Sequence, residues 1–349
     1  MSRRPKVVVV GGGFIARVAH LPAFRASGAP VDVLCSRDQD RARALAQQFE
    51  VPHVYGDWRQ MLAEEKPDIV SVCLPAALHC EVTLAALDGG AHVLCEKPLA
   101  TSVTEARAMF DAARRNGRQL MAAHHYRFDA AAQAIKQVAE SGHLGEIYYS
   151  EATALRRMGI PGWGAFHQRA FSGGGCLIDY GVHALDQTIW LLGNPKPASV
   201  SAVTQQRFGR RPEIAATWGN NAWDPQLFDV EDFAVAFVRF QDGSSMVLRA
   251  SWAAHIAKDR FSSLLVGTEG GATTEPPTVY TLGEGKQVST ELGPFPWSNP
   301  YEAEVAHFLA VVRGEAEPIV KEEETMNVQR ILDAAYRSAE DGREVQVEG

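Results

Sequence analysis

A lysine, an aspartate and a histidine occur in two short stretches whose chemistry suits the removal of a proton from an alcohol. Lys97 lies in HVLCEKPLA, at the end of an apolar run, and Asp179 and His183 lie four residues apart in GGGCLIDYGVHALD. They supply a cation, an orienting carboxylate and a group that titrates near neutrality. On a helix, a spacing of four places Asp179 and His183 on one face. We take all three as candidate catalytic residues, although each alone also fits a structural role: a surface lysine, a capping aspartate or a core histidine.

The chain opens with a segment that can hold a dinucleotide. The apolar run KVVVV at 6–10 is followed by GGGFIA, which fits the pattern G-x-G-x-x-G/A. In this pattern Gly11 allows a tight turn, Gly13 lets a phosphate approach the backbone, and Ala16 is small enough for the next helix to pack on the strand. The pyrophosphate would lie at the N-terminus of that helix. We expect Gly11, Gly13, Phe14 and Ile15 to contact the cofactor.

The end of the second apolar run bears on the choice between NAD and NADP. An NAD site usually has an Asp or Glu about 20 residues beyond the turn, whereas this chain has Ser36 and Arg37. Ser36 can donate to a 2′-phosphate and Arg37 can pair with it. We therefore favour NADP, and NAD stays possible because Asp38 is adjacent. The alternative is that Ser36 or Asp38 only caps a helix.

The first part of the chain alternates short apolar runs with helix-like segments. We expect strands over 6–10, 31–36, 69–75 and 92–97, helices over 14–27, 39–49, 78–88 and 102–116, and a further apolar segment at 119–124. This alternation predicts an α/β fold with a doubly wound parallel sheet, which binds ligands at the carboxyl ends of its strands. That edge should carry further cofactor contacts from Leu74, Pro75, His79, Glu96 and Lys97. A cis bond at Pro98 would fix the direction in which Lys97 points.

The pattern changes after about residue 126. We expect short strands near 145–155, 198–208, 231–240 and 245–252, and helices over 129–141, 176–192, 301–313 and 324–340. This order favours an α+β domain with an open, mostly antiparallel or mixed sheet. The predicted domains are 1–126, which binds the dinucleotide, and 127–349, which binds substrate and oligomerises, with helix 324–340 a candidate to pack back on the first domain. The stretch 206–228 lacks periodicity and is expected to be a long loop, either a lid or an oligomer contact.

The composition is typical of a globular protein with a sizeable core. Of 349 residues, 46% are hydrophobic and 22% are charged, and the net charge is −8. The absence of a basic block argues against nucleic acid as a partner, and no apolar run is long enough to span a membrane. Five cysteines without C-x-x-C spacing favour reduced thiols and a cytoplasmic protein. We expect no metal site, since His124-His125 has no further ligand at a suitable spacing.

Several motifs together resemble the Gfo/Idh/MocA family of oxidoreductases. They are the glycine turn with His20-Leu21-Pro22, the segment GDWRQMLAEEKPDIVSVCLPAALH, the EKPLA motif, Tyr126-Arg127-Phe128, the GGGCLIDYGVHALD motif and AAYRSAEDG. The resemblance implies a Rossmann domain followed by an α/β domain whose open mixed sheet commonly forms dimers or tetramers. It also implies hydride transfer between NAD(P) and sugars, cyclitols or related polyols. Lys97 matches the family's catalytic lysine, and Asp179 and His183 match residues that complete its site. Ala16 and Ser36 depart from the usual Gly and acid, and Ser36 puts a preference for NAD in question.

The expected substrate contacts lie in both domains. They are Lys97, Tyr126, Arg156, Trp163, Arg169, Asp179 and His183, because an arginine suits a carboxylate or phosphate and an aromatic ring stacks on a sugar. In the expected reaction His183 takes the hydroxyl proton, Lys97 stabilises the oxygen, and Asp179 orients His183 or relays the proton. Two alternatives stay open, a glycosidase that recycles its NAD and a non-catalytic NAD(P)-sensing regulator. The expected assembly is a homodimer or homotetramer.

Overall fold

The computed structural model describes residues 4–216 and 223–348, and it divides the chain into two compact units. The first unit contains 4–125 and 299–322, and the second contains the other described residues. The segment 299–322, which we assigned from the sequence to the second domain, therefore groups with the first unit. Residues 324–340 group with the second unit. Part of the expected loop 206–228 lies outside the described residues, and its described parts contain two short 3₁₀ turns, Pro212–Ile214 and Pro225–Leu227.

The first unit is built on a parallel sheet of six strands among its described residues. The strands are β1 (Val7–Val10), β2 (Val33–Cys35), β3 (His53–Tyr55), β4 (Ile69–Val72), β5 (His92–Glu96) and β6 (Leu120–Ala123). Their order is β3-β2-β1-β4-β5-β6, and every neighbouring pair is parallel. This is the order of a doubly wound dinucleotide-binding fold. The continuous apolar run of β1 is explained by its burial on both faces of the sheet.

Helices connect these strands, and several begin at a side-chain cap. They are α1 (Leu21–Ala26), α2 (Gln39–Phe49), α3 (Trp58–Glu65), α4 (His79–Asp88) and α5 (Val103–Asn116). Asp38, Asp57 and Ser102 accept backbone N–H groups at the starts of α2, α3 and α5. The expected helices are confirmed, except that the helix predicted over 14–27 opens with a π-helical turn, Ala16–His20, before α1.

The second unit carries a larger mixed sheet. Its strands are β7 (Ile147–Leu155), β8 (Pro197–Gln205), β9 (Phe233–Phe240), β10 (Ser245–Ser251), β11 (Arg260–Gly267), β12 (Gly270–Thr274), β13 (Pro277–Gly283), β14 (Lys286–Glu291) and β15 (Val345–Gln346). In the described residues their order is β14-β13-β12-β11-β7-β10-β9-β8-β15, with only β7 and β10 parallel. The expected fold class, a Rossmann domain followed by a domain with a mixed sheet, is thus confirmed.

The helices of the second unit cover one face of this sheet. They are α6 (Ala130–Glu140), the short α7 (Arg169–Ser172), α8 (Val182–Leu191) and, after α9 (Pro300–Val312) of the first unit, α10 (Glu322–Asp341). The π-helical turn Leu177–Gly181 leads directly into α8, so the helix predicted over 176–192 is confirmed with an irregular first turn. Ala152, Ala154, Leu248 and Trp252 lie buried in the core beneath α8. No helix among the described residues has both the length and the apolar character that crossing a bilayer requires.

The opposite face of the sheet presents half-exposed apolar side chains. Phe237, Val247 and Leu264 lie in one row across β9, β10 and β11, with Glu151 of β7 between the last two. Glu151 forms an ion pair with Arg249 within this face. Exposed apolar side chains grouped on one sheet face, here around an ion pair, are typical of an interaction surface. The expectation that this domain mediates oligomers stays a prediction.

A buried ion triad ties three segments of the second unit together. The guanidinium of Arg127 donates to both carboxylate oxygens of Asp186 on α8, at 2.9 and 2.6 Å, and to Glu324 on α10. Arg127 is fully buried. Burial works against the charge, yet the two carboxylates raise the pKa of Arg127 above its ordinary value. A buried charge of this kind tolerates the loss of a partner poorly.

Two glutamates on α10 offer a matched test of this triad. Replacement of Glu324 by Gln weakens a buried pair and should lower the free energy of unfolding by on the order of 3 kcal/mol. Replacement of Glu340 by Gln removes its ion pair with Arg169. The side chain of Glu340 is 60% exposed and that of Arg169 is 51% exposed, so the free energy of unfolding should fall by less than about 1 kcal/mol. Thermal and urea unfolding of both variants measure the difference. Equal losses would contradict a structural role for the triad.

We expect the half-exposed sheet face to be covered in solution by a second copy of the chain. Sedimentation at micromolar concentration should give a homodimer or homotetramer of the 38.0 kDa chain. Val247→Glu would replace an apolar side chain of this face by a carboxylate beside that of Glu151, and this variant should dissociate into monomers while its circular dichroism stays unchanged. A wild-type monomer at this concentration would contradict the expectation.

Candidate active site

The turn after β1 shows which glycines the fold itself requires. Gly11 has φ of +113°, and a Cβ there would lie 2.1 Å from the carbonyl oxygen of Cys73, so only glycine fits. At Gly13 a Cβ would meet no atom of the protein within 4 Å. Its small size is therefore not needed for packing, and it leaves open space where a phosphate would approach. Ala16, in the third position of the motif, is fully buried.

The segment after the turn suits an anion. The π-helical turn Ala16–His20 continues into α1, and it carries no acidic residue in its first turn. Backbone N–H groups at such a helix start, together with its dipole, favour the negative charge of a pyrophosphate. Phe14 and Ile15 stand at this start, and the guanidinium of Arg17 lies 5.7 Å from the centre of the Phe14 ring. The residues present thus fit a bound dinucleotide.

Ser36 and Asp38 take different positions at the end of β2. A Cβ on Gly12 would lie 3.1 Å from Ser36 Oγ, so the hydroxyl stands directly beside the glycine turn. Arg37 is exposed. Asp38 caps α2 by accepting the N–H of Arg41 at 3.0 Å, and it also pairs with the Arg41 guanidinium at 3.3 Å. The acid that kept NAD open is therefore engaged in helix capping, one of the two roles that we considered for it.

Lys97 lies just beyond the last paired residue of β5. The ladder between β5 and β6 ends at Glu96, and the Lys97 N–H donates instead to the Glu96 side chain at 3.0 Å. The lysine is half-buried, and the bond between Lys97 and Pro98 is cis. Lys97 thus lies at the carboxyl edge of the sheet, as expected.

Two residues expected at the cofactor, Glu96 and His79, have their polar atoms engaged within the protein. Glu96 is buried and contacts His20 Nε2 at 2.8 Å. His79 Nε2 lies 2.8 Å from the carbonyl oxygen of Leu74, and its Nδ1 lies 2.8 Å from that of Pro98. Burial lowers the pKa of His79. His79 therefore links the loop after β4, which includes Leu74 and Pro75, to the loop that carries Lys97.

The pair His124-His125 packs within the first unit. His125 stacks on Tyr301 of α9, with 4.1 Å between ring centres, and burial lowers its pKa to about 3. The ring of His125 is therefore neutral at pH 7. Within 4–216 and 223–348, no three His, Cys, Asp or Glu side chains form a group that could hold a metal ion. All five cysteines are free thiols, and only Cys80 is not fully buried.

In the second unit, the glycines before Asp179 are required by close packing. A Cβ on Gly175 would lie 1.9 Å from the carbonyl oxygen of Glu231, and one on Gly174 would lie 2.1 Å from the Tyr336 hydroxyl. The Glu231 carboxylate accepts the N–H groups of Gly175 and Leu177, each at 2.9 Å. Burial raises the pKa of Glu231. Of the two explanations for the triplet, approach to a ligand or to another backbone, the structure shows the second.

Asp179 and His183 follow on the π-helical turn and α8. Asp179 is buried, and its Oδ2 accepts the indole N–H of Trp252 at 2.8 Å. His183 is buried edge-on to Tyr126, with 5.1 Å between ring centres. Asp179 is therefore held by a residue that follows β10, and His183 by an aromatic neighbour. The carboxylate and the imidazole lie in one short segment whose position is fixed by packing.

An aromatic cluster surrounds His183. Tyr126 stacks on Phe261 at 4.1 Å between centres, and Phe261 lies 5.7 Å from Tyr180. The guanidinium of Arg156 lies 4.1 Å from the centre of the Tyr180 ring, and it also donates to Gly159 O at 3.1 Å. Burial raises the pKa of Tyr180. The structure thus brings Tyr126 and Arg156 together with the His183 segment.

The other two expected substrate residues lie in a different setting. Trp163 is half-buried and meets Phe166 edge-on at 6.3 Å. Arg169 is exposed and forms an ion pair with Glu340 at 2.7 Å, with its guanidinium 5.5 Å from the Tyr336 ring. Its charge is thus matched by α10, and among the substrate candidates it has the weakest structural support.

Sequence reasoning missed three members of this site. Tyr180 lies inside the GGGCLIDYGVHALD motif and could have been included from its position there. Phe261 lies on β11, a strand whose sequence showed no recognisable alternation. Trp252 follows β10, and nothing local indicates that its indole reaches Asp179, 73 residues away in the chain.

Comparison with known proteins identifies relatives along nearly the whole chain. The chain is 34% identical over 344 residues to D-glucoside 3-dehydrogenase of Escherichia coli (strain K12), covering 98% of this chain and 97% of that protein. It is 29% identical over 346 residues to D-xylose 1-dehydrogenase (NADP(+)) 2 of Haloferax volcanii, covering 97% and 99%. Both relatives carry the names of sugar dehydrogenases.

Solved structures share the fold. An oxidoreductase domain protein from Kribbella flavida aligns with a TM-score of 0.86 at 22% identity, covering 99% of this chain and 100% of that one. Levoglucosan dehydrogenase in complex with NADH and levoglucosan aligns with a TM-score of 0.83 at 25% identity, with the same coverage. The first likeness shows the fold alone.

Family models match both units of the chain. The model of the oxidoreductase family with an NAD-binding Rossmann fold matches residues 5–124, and the model of the C-terminal alpha/beta domain of that family matches residues 136–347. Because these matches account for most of the chain, and the glycine turn fits a dinucleotide, the protein belongs to the Gfo/Idh/MocA family of NAD(P)-binding oxidoreductases.

Proposed function

We propose that this enzyme transfers a hydride between NAD(P) and a hydroxyl-bearing carbon of a sugar, and that its first substrates to test are glucosides. The observation that carries the proposal is the placement of Lys97. It lies half-buried at the carboxyl edge of the parallel sheet, the edge at which this fold binds its ligands. The likeness to D-glucoside 3-dehydrogenase over 98% of the chain supports the choice of glucosides.

The turn from Gly11 to Ala16 would hold the pyrophosphate, and Ser36 with Arg37 would hold the adenosine ribose. Bound nicotinamide supplies the hydride acceptor in oxidation and the hydride donor in reduction. The protein's own part is to bind the sugar, to orient the reacting carbon, and to move one proton. The residues of the second unit that suit a sugar are Tyr126 and Arg156, beside His183.

In the proposed mechanism Lys97 and His183 act on the same hydroxyl. His183 accepts the hydroxyl proton as the C–H bond is broken, and the Lys97 ammonium stabilises the negative charge that develops on oxygen. Asp179 orients this segment, since its carboxylate is fixed by the Trp252 indole. In the reverse direction the same groups return the proton.

In our proposal, the residues that would face the adenosine ribose favour NADP over NAD. Both cofactors are known among the relatives, since one is named for NADP(+) and another structure holds NADH. The preference therefore depends on this chain's own residues. With Asp38 engaged as the cap of α2, the groups left beside the ribose are the Ser36 hydroxyl and the exposed Arg37, which suit a 2′-phosphate. We further propose that the enzyme acts in the cytoplasm, where its thiols stay reduced.

The single variants Lys97→Ala and His183→Ala should each lower kcat by about 10² to 10⁴-fold, the contribution of a positioned acid–base group. The dissociation constant of the cofactor should change little, because the phosphates are held at the glycine turn. Cofactor fluorescence titration and steady-state kinetics with methyl glucoside measure the two quantities. Replacement of the exposed Lys286 by Ala is the matched control and should leave kcat unchanged.

The same assay separates the alternatives. A dehydrogenase accumulates reduced cofactor in step with oxidised sugar, whereas a glycosidase that recycles NAD would release the aglycone without net reduction. A regulator would bind the cofactor and turn over no sugar. Full activity of both the Lys97→Ala and the His183→Ala variants would contradict the proposed mechanism.

An aspartate at Ser36 should shift the cofactor preference from NADP towards NAD by more than tenfold in kcat/KM, because its charge repels the 2′-phosphate and can accept the ribose hydroxyls. The control is Asp38→Asn, which keeps the helix cap while removing the charge. This control should leave the NADP-to-NAD ratio within about 2-fold of wild type, as expected of a residue whose carboxylate serves the cap. A wild-type enzyme that strongly prefers NAD, or a ratio that responds to Asp38→Asn alone, would overturn the assignment.

A further inference from the structure

A buried series of polar contacts connects the helix after the glycine turn with Lys97. His20 is the last residue of the π-helical turn Ala16–His20 and is 1% exposed. Its Nδ1 lies 2.7 Å from Ser71 Oγ on β4, and its Nε2 lies 2.8 Å from Glu96 Oε1 on β5. The other oxygen of Glu96 accepts the N–H of Lys97 at 3.0 Å. All of these residues belong to the first unit.

The Glu96 side chain accepts a backbone N–H that lies beyond the paired residues of the sheet. The pairing of β5 with β4 ends at Cys95, and its pairing with β6 ends at Glu96. The Lys97 N–H lies beyond both registers, and it donates to a carboxylate whose position is in turn fixed by His20. The Lys97 N–H is therefore held by Glu96, and Glu96 is held in turn by a residue 76 positions away in sequence.

Burial of the Glu96 carboxylate is unfavourable unless another group compensates its charge. Removing such a group from water costs several kcal/mol unless a partner compensates for it, and Glu96 is only 6% exposed. Burial would raise the pKa of Glu96, but the hydrogen bond and charge of His20, together with the charge of Lys97, lower it. Burial would also lower the pKa of His20, which the Cys73 sulfur and Glu96 raise well above its ordinary value. The lowered pKa of Glu96 and the raised pKa of His20 both favour an imidazolium paired with a carboxylate.

We propose that His20 is a positioning residue for Lys97 and that it acts through Glu96. The proposal rests on the proposed function, in which Lys97 contacts the substrate oxygen. Because His20 ends the turn that begins at Ala16, hydrogen bonds connect the segment that would hold the pyrophosphate with the backbone of the lysine that would meet the substrate.

Two amide substitutions of His20 separate the contacts of its two nitrogens. His20→Gln places an amide nitrogen where Nε2 stood and keeps the contact with Glu96. His20→Asn places its amide nitrogen near the position of Nδ1, so it keeps the contact with Ser71 and loses the one with Glu96. The two variants have similar polarity. His53→Gln is the matched control, since it removes a His–Glu contact of 3.0 Å that His53 makes through Nδ1 on β3, a strand separated from β5 by three others.

His20→Asn should lower kcat by on the order of 10- to 100-fold, the loss that a misplacement of about 1 Å near a reacting centre can cause. His20→Gln and His53→Gln should stay close to wild type. In a Lys97→Ala background, His20→Asn should change kcat by less than about 2-fold, because its effect passes through the missing lysine. A general structural defect would instead lower the activity of both backgrounds by the same factor.

Hydrogen exchange of the Lys97 amide in the cofactor-free protein gives a reading independent of activity. Exchange should be faster by tenfold or more in His20→Asn and unchanged in His20→Gln. Unchanged exchange in His20→Asn, or multiplying losses in the double variant, would overturn the proposal. If the wild-type enzyme oxidised no sugar, the proposed function would fail, and the exchange result alone would still decide whether His20 positions Lys97.

Discussion

The close approach of Gly11 to the carbonyl of Cys73 is the constraint on which the first unit depends. A side chain at Gly11 would lie 2.1 Å from that oxygen, so the chain can leave β1 in this way only with glycine. The turn then directs the π-helical segment back across the sheet, where His20 reaches β4 and β5. One backbone contact therefore fixes the cofactor turn, the His20–Glu96 pair and, through Glu96, the backbone of Lys97.

In the second unit, too, a close contact between a glycine and another backbone fixes the segment that carries the candidate residues. Gly175 lies so close to the Glu231 carbonyl that a Cβ would come within 1.9 Å of it. The Glu231 carboxylate accepts the N–H groups of Gly175 and of Leu177, the first residue of the π-helical turn. This contact sets where the turn begins, and the Trp252 indole then holds Asp179. In both units a glycine permits a close backbone contact and a buried acid satisfies N–H groups that regular secondary structure leaves unpaired. The candidate catalytic side chains follow directly after these acids or on the segment they hold.

The elements that carry the site could be predicted from the sequence because their signals are local. The buried run of β1, the glycine turn and the alternation of strands and helices each reflect a local pattern of burial. Strands β11 to β14 could not be predicted, since β14 is exposed throughout and the others are largely half-buried. The contacts of His20 with Glu96 and of Asp179 with Trp252 join residues more than 70 positions apart. No local pattern encodes such pairs. The candidate residues could therefore be found from the sequence, whereas the contacts that hold them in place could not.

Isotopic labelling of the sugar shows whether the enzyme transfers a hydride directly from a ring carbon to the nicotinamide. Methyl glucoside that carries deuterium at every ring carbon would be oxidised with NADP⁺ or NAD⁺, and the reduced cofactor would be analysed by mass spectrometry and NMR. We expect one deuterium per reduced nicotinamide, together with a primary isotope effect on turnover at saturating cofactor when the C–H bond limits the rate. A reduced cofactor that carries no deuterium would contradict direct transfer.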